Sequence, residues 1–349
     1  MSGDIVLALD AMGGDRAPAM VIRGANIARV RHPSLRFMVF GDECKLAPLL
    51  RKFRRLGQVC TIRHTTEVIE PNDRMAIALR QRKDSRMRLA ILAVTEGEAA
   101  GVVSAGNTGA LMALAKFVLK TLPGISRPAI ASIFPTRRGE SVVLDLGANI
   151  ECTSDNLFQF AIMGEVFART VLGVSKPTIG LLNVGEEEVK GHELIKSAAA
   201  RIQETELPIK FAGFIEGDDI PAGTVDVVVT DGFTGNVALK VAEGTGRLYT
   251  DFLRAAFRRS VFSKLGYLLA RPALNAFRER VDPRRYDGAT LLGLNGVVVK
   301  SHGGTDHKGF ANAIGVGVDM ISQGFNANII DELSRLHSDQ VPEPTSAAM

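Results

Sequence analysis

The sequence predicts an α/β fold in which a mostly parallel β-sheet is covered by helices. The chain has 349 residues, of which 46% are hydrophobic and 23% charged, enough for a large buried core. Short β-branched runs bounded by glycine or polar residues recur along it, and stretches with helical spacing lie between most of them. This alternation is typical of parallel sheets with helices on their faces. We expect one fold, or two subdomains, over residues 1–337 and a disordered tail at 338–349.

The predicted elements follow one another from the N-terminus. Strand-like runs cover residues 5–10, 36–41, 59–64, 101–104, 129–134, 142–145, 178–183, 209–214, 225–230 and 297–301. Helical spacing of apolar side chains covers residues 17–31, 108–122, 156–172 and 193–204. Ligands of such folds bind outside the carboxyl ends of the strands, where loops and helix N-termini meet. Functional residues are therefore expected directly after the predicted strands.

Composition excludes several classes of protein. Three scattered cysteines cannot form a disulfide framework or a CxxC zinc site, so a reducing cytoplasm is expected. The N-terminus has no basic region followed by a long apolar stretch, and no run of about 18 apolar residues predicts a membrane span. The net charge of +4 is too small to predict nucleic-acid binding, although it fits an acidic partner.

Two glycine-rich loops between a strand and a helix are candidate anion sites. One is DAMGGDRAP, at residues 10–18, and the other is VSAGNTGA, at residues 103–110. Backbone amides at a helix N-terminus bind anions, and small side chains let a ligand approach the backbone. The alternative is that the glycines only form tight turns. The candidate phosphate or substrate residues are Asp10, Gly13, Gly14, Asp15, Ser104, Gly106, Asn107 and Thr108.

Glycine with Asn, Asp or Thr recurs after further strands. The loops are DLGAN at 145–149, NVGEEEVKG at 183–191, TDGFTGN at 230–236 and GLNGVVVKSHGG at 293–304. Helix caps explain some of these Asn, Asp and Thr residues. The candidates that these loops add are Gly147, Asn149, Lys190, Asp231, Gly232, Thr234, Gly235, Asn236, Lys300 and His302.

Familiar cofactor motifs do not occur. The sequence has no GxxxxGK[ST], GxGxxG, GxSxG or HExxH, so ATP hydrolysis, Rossmann dinucleotide binding, esterase and zinc-protease activities lose support. The closest histidine pair, His302 and His307, brackets a loop and lacks a metal-ligand pattern. We expect neither a metal nor an organic cofactor.

Six segments, together, resemble the PlsX family of bacterial phosphate acyltransferases. They are DAMGGDRAP, VSAGNTGALM, DLGAN, LLNVGEEEVKG, VVVTDGFTGNVALK and NGVVVKSHGG, in this order. The resemblance implies a homodimer with a fold similar to isopropylmalate dehydrogenases and phosphotransacetylases. It implies an acyltransferase that moves a fatty acyl group from acyl carrier protein to inorganic phosphate, giving acyl phosphate for phospholipid synthesis. A membrane acyltransferase that uses acyl phosphate is then a further candidate partner.

Catalytic roles can be assigned within this resemblance. Attack of phosphate on a thioester needs an anion site, donors for the developing oxyanion and positioned reactants. We expect Lys190, Asn236 and His302 to act in catalysis; the alternatives are a surface ion pair for Lys190, a helix cap for Asn236 and a local hydrogen bond for His302. A covalent route through Cys152 is less favoured, since no histidine accompanies it in sequence and phosphate is itself a nucleophile.

Two basic regions are candidate contact surfaces. The 51–88 region can dock an acidic acyl carrier protein, or it is only a solvated surface. Its basic side chains are Arg51, Lys52, Arg54, Arg55, Arg63, Arg74, Arg80, Arg82, Lys83, Arg86 and Arg88.

A second basic region, inside a projecting segment at 247–285, alternates apolar and basic residues. One apolar helical stripe contains Leu253, Phe257, Val261, Leu265 and Leu268, whereas Phe262 and Leu269 point away from it. A basic amphipathic helix can lie on an anionic membrane, so Val261, Phe262, Leu265 and Leu268 are candidate membrane contacts. Two helices with an exposed tip, or a dimer interface, are the alternatives. Peripheral attachment to the inner face of the cell membrane is expected.

Three rival functions stay open. The same fold fits a phosphotransacetylase acting on acyl-CoA or, more distantly, a metal- and NAD-dependent decarboxylating dehydrogenase, although Asp145 and Asp231 alone make a poor metal site. A non-catalytic peripheral membrane scaffold would leave the glycine loops unexplained.

Overall fold

A computed structural model describes residues 4–69, 82–205, 207 and 209–338, and within them the strands form one eleven-stranded sheet. Its strand order is β3-β2-β1-β4-β11-β10-β5-β6-β9-β7-β8. The strands are β1 Val6–Asp10, β2 Arg36–Gly41, β3 Cys60–His64, β4 Gly101–Ser104, β5 Ala129–Pro135, β6 Glu140–Leu144, β7 Thr178–Leu182, β8 Lys210–Ile215, β9 Val227–Val229, β10 Ala289–Leu292 and β11 Val297–Lys300. The α/β fold with a mostly parallel sheet is confirmed.

Helices cover both faces of this sheet. One face carries α1 Ala19–Arg31, α2 Glu43–Lys52, α3 Arg54–Gly57, α6 Ser154–Val171, α7 Glu193–Glu204, α11 His307–Ser322 and α12 Phe325–Ser338. The other carries α4 Arg86–Thr95, α5 Thr108–Leu119, α8 Asp219–Ala222 and the first turns of α9 Gly232–Arg258. Because both faces are covered, the central strands are almost entirely apolar rather than alternating. The expected tail at 338–349 lies outside the described residues, apart from Ser338.

Two parallel blocks of strands make up the sheet. Strands β3, β2, β1, β4 and β11 are parallel to one another, as are β6, β9, β7 and β8. Between the blocks, β10 is antiparallel to β11 and β5, and β5 is antiparallel to β6. The loops that follow the strands of the two blocks therefore fall into two groups. Each predicted strand overlaps an observed one, but β10 was not predicted, since its four residues lack the β-branched run that marks the others.

An exposed helical hairpin follows β9. It consists of α9, with 27 residues, and α10 Val261–Arg280, with 20, and ends before a 3-10 turn at Pro283–Tyr286. Ser260 caps α10 by accepting a hydrogen bond from the Ser263 amide. Phe257 and Tyr267 hold the two helices together, with ring centroids 5.4 Å apart. None of the residues of α10 is buried in this single chain.

The break at Ser260 corrects the single stripe expected across residues 253–268. Within α10 the helical phase starts anew at Val261, and Phe262 and Leu269 then lie beside Val261, Leu265 and Leu268 in one arc of roughly 120°. All five side chains are exposed, Phe262 most of all at 86%. Among the helices that the structure describes, none is long and apolar enough to cross a bilayer.

Candidate functional site

A row of polar side chains crosses three neighbouring strands at the end of the first block. The register pairs Asp10 of β1 with Ser104 of β4, and Ser104 with Lys300 of β11. Register partners point to the same face of a sheet, so a buried carboxylate, a hydroxyl and an ammonium lie side by side. All three residues are buried. This row is the centre of the candidate active site.

Asp10 is held by two side-chain donors. Arg86, at the start of α4, donates from Nε to Asp10 Oδ1 at 2.8 Å, and Ser104 Oγ donates to Oδ2 at 2.7 Å. A buried carboxylate needs such partners, because an unpaired charge away from water is costly. The ion pair with Asp10 holds the Arg86 guanidinium next to this row of side chains, where its positive charge can contact an anionic ligand.

The DAMGGDRAP loop folds back over Asp10. A Cβ on Gly13 would lie 2.6 Å from Asp10 Oδ2 and 2.7 Å from the Gly106 amide nitrogen, so only glycine fits there. The Gly106 amide donates to Ser104 Oγ at 3.0 Å, and the Asp15 amide donates to the Gly303 carbonyl at 2.9 Å. The glycine-rich loops at 10–18, 103–110 and 293–304 therefore contact one another around Asp10.

Lys300 is a buried ammonium beside two carboxylates. Burial lowers the pKa of Lys300 to about 8, while Asp287 and Asp10 act in the opposite direction. Its Nζ donates to the Ser301 carbonyl. Asp287 accepts from Ser301 Oγ at 3.0 Å and from the His302 amide at 2.9 Å, which orients the loop after β11.

His302 lies at the exposed edge of this group. Its Nδ1 accepts a hydrogen bond from the Gly304 amide at 3.0 Å, so in the neutral ring Nε2 carries the proton. A Cβ on Gly304 would lie 3.5 Å from both Asp15 Oδ2 and the His302 ring. The local hydrogen bond that the sequence suggested for His302 is therefore present. It leaves the Nε2–H group free to donate to a ligand.

The second group of loops is organised by Asp145, directly after β6. Its carboxylate accepts from the amides of Ile130, Gly147, Ala148 and Asn149 at 2.7–3.2 Å, and from Asn149 Nδ2 at 2.9 Å. Burial raises the pKa of Asp145, and these hydrogen bonds act against that rise. A Cβ on Gly235 would overlap the Asp145 carbonyl, which brings the first turn of α9 against this loop. Asp145 and Asn149 therefore shape the loop.

The N-terminus of α9 borders this second group. Asp231 caps the helix by accepting from the Thr234 amide at 2.9 Å and from Thr234 Oγ1 at 2.7 Å. Asn236 is exposed one turn later, and a Cβ on Gly147 would lie 3.7 Å from its Oδ1. Asp231, rather than Asn236, is the helix cap, so the alternative considered for Asn236 is wrong. Its amide faces the Gly147 loop and stays a candidate donor.

Helix α9 begins in the second group of loops and carries a charge that acts on the first group. Lys240, in its third turn, contributes to lowering the pKa of Lys300. The charge of Lys240 therefore acts on the end of β11 that carries Lys300.

Lys190 lies apart from both groups in its contacts. Its Nζ forms an ion pair with Glu187 at 2.8 Å, which raises the pKa of Lys190, and its carbonyl accepts from Asn183 Nδ2. The pair is exposed to solvent. The surface ion pair considered from the sequence is thus present, and a catalytic role for Lys190 stays a prediction.

Cys152 lies beside the second group. Its Sγ is 3.7 Å from the Asn149 carbonyl, and burial raises the pKa of the thiol to about 11. A protonated thiol is a weak nucleophile near neutral pH. This environment favours direct attack by phosphate over an acyl-cysteine.

The structure brings together Asp10, Gly13, Gly14, Asp15, Ser104, Gly106 and His302 in the first group, and Gly147, Asn149, Asp231, Gly232, Thr234, Gly235 and Asn236 in the second. Asn107 caps α5 through the Ala110 amide at 2.9 Å, and Thr108 begins that helix.

Sequence reasoning missed Asp287 and the role of Arg86. Arg86 could have been found from the sequence, because it is a basic residue that begins a helix after a polar loop. No sequence pattern marks Asp287 as a functional residue.

The 51–88 region does not form a single surface. Arg86 reaches into the site, Arg63 pairs with Glu98 at 2.9 Å and Arg88 lies 6.0 Å from the Phe117 ring. Arg51, Lys52, Arg54 and Arg55 are exposed on α2 and α3. Arg74 and Arg80 lie outside the described residues.

Across the described ranges, no group of three His, Cys, Asp or Glu side chains is arranged to hold a metal ion.

Comparisons with known proteins agree with this geometry. Residues 5–328 match the family described as "Fatty acid synthesis protein". A phosphate acyltransferase from Rhodospirillum centenum is 60% identical over 353 residues, which cover 100% of this chain and 99% of the relative. A second, from Rhodospirillum rubrum, is 57% identical over 336 residues, covering 96% of each chain.

Solved structures show the same fold at low sequence identity. A phosphotransacetylase from Streptococcus pyogenes superposes with a TM-score of 0.62 at 18% identity, covering 91% of this chain and 94% of the other. A phosphotransacetylase from Staphylococcus aureus gives a TM-score of 0.59, also at 18% identity, with coverages of 92% and 95%. Sequence identity above half over the whole length shows the family, and the chain belongs to the phosphate acyltransferases.

Proposed function

We propose that this protein transfers an acyl group from a thioester to inorganic phosphate and releases acyl phosphate. The observation that carries the proposal is the row Asp10–Ser104–Lys300 with Arg86, because it places two cations beside the glycine-rich loops. Such a site suits a small, doubly charged anion. The family of the chain supports the same reaction.

The reaction needs no group beyond the two substrates. A phosphate oxygen attacks the thioester carbonyl carbon, the C–O bond forms, and the C–S bond breaks as the tetrahedral intermediate collapses. The thiolate takes up the proton that hydrogen phosphate carried. Lys300 and Arg86 neutralise phosphate, while the Asn236 amide, Lys190 and the His302 Nε2–H are the donors proposed for the carbonyl oxygen as it becomes negative.

The donor we propose is a long-chain acyl group on acyl carrier protein. Exposed Arg51, Lys52, Arg54 and Arg55 give α2 and α3 a basic surface, which would steer an acidic carrier protein toward the site. An acyl-CoA donor is the alternative, and its smaller negative charge would depend less on this surface.

We also propose a homodimer that attaches to a membrane. An apolar stripe of α9, formed by Val237, Val241, Leu248 and Phe252, is exposed in the single chain, as are Val261, Phe262, Leu265 and Leu268 at the start of α10. A second copy would cover the α9 stripe, and the tip of the hairpin would contact the inner face of the cell membrane. Acyl phosphate would then be released near a membrane acyltransferase that uses it.

Formation of acyl phosphate from acyl carrier protein thioester and phosphate tests the function. Activity should need no ATP, metal or nicotinamide. Lys190→Ala and Asn236→Ala should each lower kcat by roughly tenfold to a thousandfold, as loss of a positioned donor does, without loss of folding since both residues are exposed. Cys152→Ser serves as the matched control and should be much milder.

Two results would count against these assignments. Near-wild-type turnover of either alanine variant removes that residue from the site. Trapping of an acyl-cysteine at Cys152 replaces direct attack by a covalent route.

A further inference from the structure

A cleft of about 360 Å³ opens beside the second group of loops. It lies at the carboxyl ends of β7 and β9, between α6 and the start of α7. Its lining residues are Ile150, Glu151, Cys152, Leu157, Leu181, Leu182, His192, Leu194, Ile195, Val229, Thr230 and Asp231. The volume falls within the range of small-molecule sites, roughly 300–1,000 Å³.

The inner wall of the cleft is aliphatic. Leu157, Leu181 and Val229 belong to the buried core and form its floor. Leu182, Leu194 and Ile195 are only half-buried, so part of each faces the cleft. Water against such side chains is unfavourable, and an apolar ligand that displaces it gains binding energy.

The charged residues lie at the rim. Glu151 and His192 are exposed and Asp231 is half-buried. Two carboxylates beside one histidine disfavour a phosphorylated ligand, such as a nucleotide or the phosphates of a coenzyme. An uncharged alkyl chain meets no such repulsion, and the polarity of the wall matches it.

The cleft adjoins the proposed reaction site. Asp231 directly precedes Gly232, whose amide donates to the Asn149 carbonyl at 2.8 Å, and Cys152 Sγ approaches the same carbonyl. The loop with Lys190 leads into α7, and the α7 residues Leu194 and Ile195 form one wall. A chain lying in the cleft therefore has one end at the loops that border the proposed thioester carbonyl.

We propose that this cleft binds the alkyl chain of the acyl donor and sets the preference for long chains. This inference rests on the proposed acyl transfer and adds to it the place of the chain. Each methylene that is buried strengthens binding by roughly fourfold, so contact along a few carbons suffices to discriminate donors by length.

A tryptophan in the cleft reports its occupant, because the chain contains no tryptophan of its own. In Ile195→Trp the single indole would line the cleft, and a bromine-tipped twelve-carbon alcohol should quench its fluorescence on contact. The matched control is Val184→Trp, on the loop before α7 but outside the lining, where the side chain is 74% exposed. Quenching in Ile195→Trp alone supports the proposal; equal quenching in both variants overturns it.

Kinetics with donors that differ only in chain length give a second readout. The indole of Ile195→Trp takes up part of the cleft and shortens the chain that fits, so KM for a sixteen-carbon donor should rise about tenfold, while KM for a four-carbon donor should change far less. Leu194→Ala, which removes wall contacts without adding bulk, should weaken the long-chain donor severalfold. Equal effects on both donors in either variant overturn the proposal.

Turnover of the two donors separates the cleft assignment from the proposed acyl transfer. If the wild-type protein turns over neither donor, acyl transfer itself is wrong, and the quenching experiment alone decides whether the cleft binds an alkyl chain. If both donors are used equally well by the wild type and by Ile195→Trp, the function stands and the cleft assignment falls.

Discussion

Lys300 shows how burial of one side chain prepares a site. Its ammonium lies among Asp10, Asp287 and Lys240, and burial outweighs the two carboxylates, which leaves its pKa at about 8 rather than 10.5. Because its pKa is about 8, Lys300 carries a positive charge below that pH and loses the charge as the pH rises above it. Phosphate binding by Lys300 should therefore weaken as pH rises through about 8.

The pH profile of the reaction should follow the titration of Lys300. Turnover at limiting phosphate should fall above an apparent pKa of about 8, and Lys300→Met should lower kcat/KM for phosphate by roughly tenfold to a thousandfold and remove that limb. Lys308→Met, an exposed lysine at the start of α11, is the control and should keep the wild-type profile. A falling limb that persists in Lys300→Met assigns the titration to another group.

At the scale of elements, the α9–α10 hairpin presents apolar side chains that no other part of the described chain covers. Val261 and Phe262 are 79% and 86% exposed at its tip, with Arg258 and Arg259 just before it. If the tip lies in a bilayer surface, apolar insertion and arginine attraction of about 1 kcal/mol each act together, so binding weakens with salt.

Substitution at the tip tests this contact. Val261→Glu and Phe262→Glu should each abolish co-sedimentation with anionic liposomes while soluble acyl transfer is unchanged, because the glycine loops lie elsewhere. Val30→Glu replaces an equally apolar side chain, 64% exposed on α1, and should leave liposome binding intact. Liposome binding that survives at the tip, or is lost in Val30→Glu as well, contradicts the assignment.

Across the whole molecule, the sequence predicted those features that are encoded within a short stretch of chain. The strands with β-branched runs and the glycine loops are local patterns, so the predicted strands and the loop residues around Asp10 and Asp145 were found. The antiparallel β10 and β5, which divide the loops into two groups, depend on pairing between distant segments. The same holds for Asp287 beside Lys300. The stripe of α10 was misplaced for a local reason, since the helical phase starts anew after the cap at Ser260.

An exposed apolar face of α9 predicts that two chains assemble through this helix. Val237, Val241, Leu248 and Phe252 are spaced by four, seven and four residues, which places them on one face of the helix, and all four are exposed. A soluble monomer rarely exposes so continuous an apolar face, so we expect a particle of twice the 37.4 kDa chain mass in analytical ultracentrifugation. The double variant Val241→Glu/Phe252→Glu should sediment as a monomer, because like charges would meet across the two-fold axis. Phe262→Glu, at the tip, should stay dimeric. If the α9 variant remains a dimer, the contact lies on another face, and if Phe262→Glu dissociates, the tip belongs to the interface between chains rather than to the membrane.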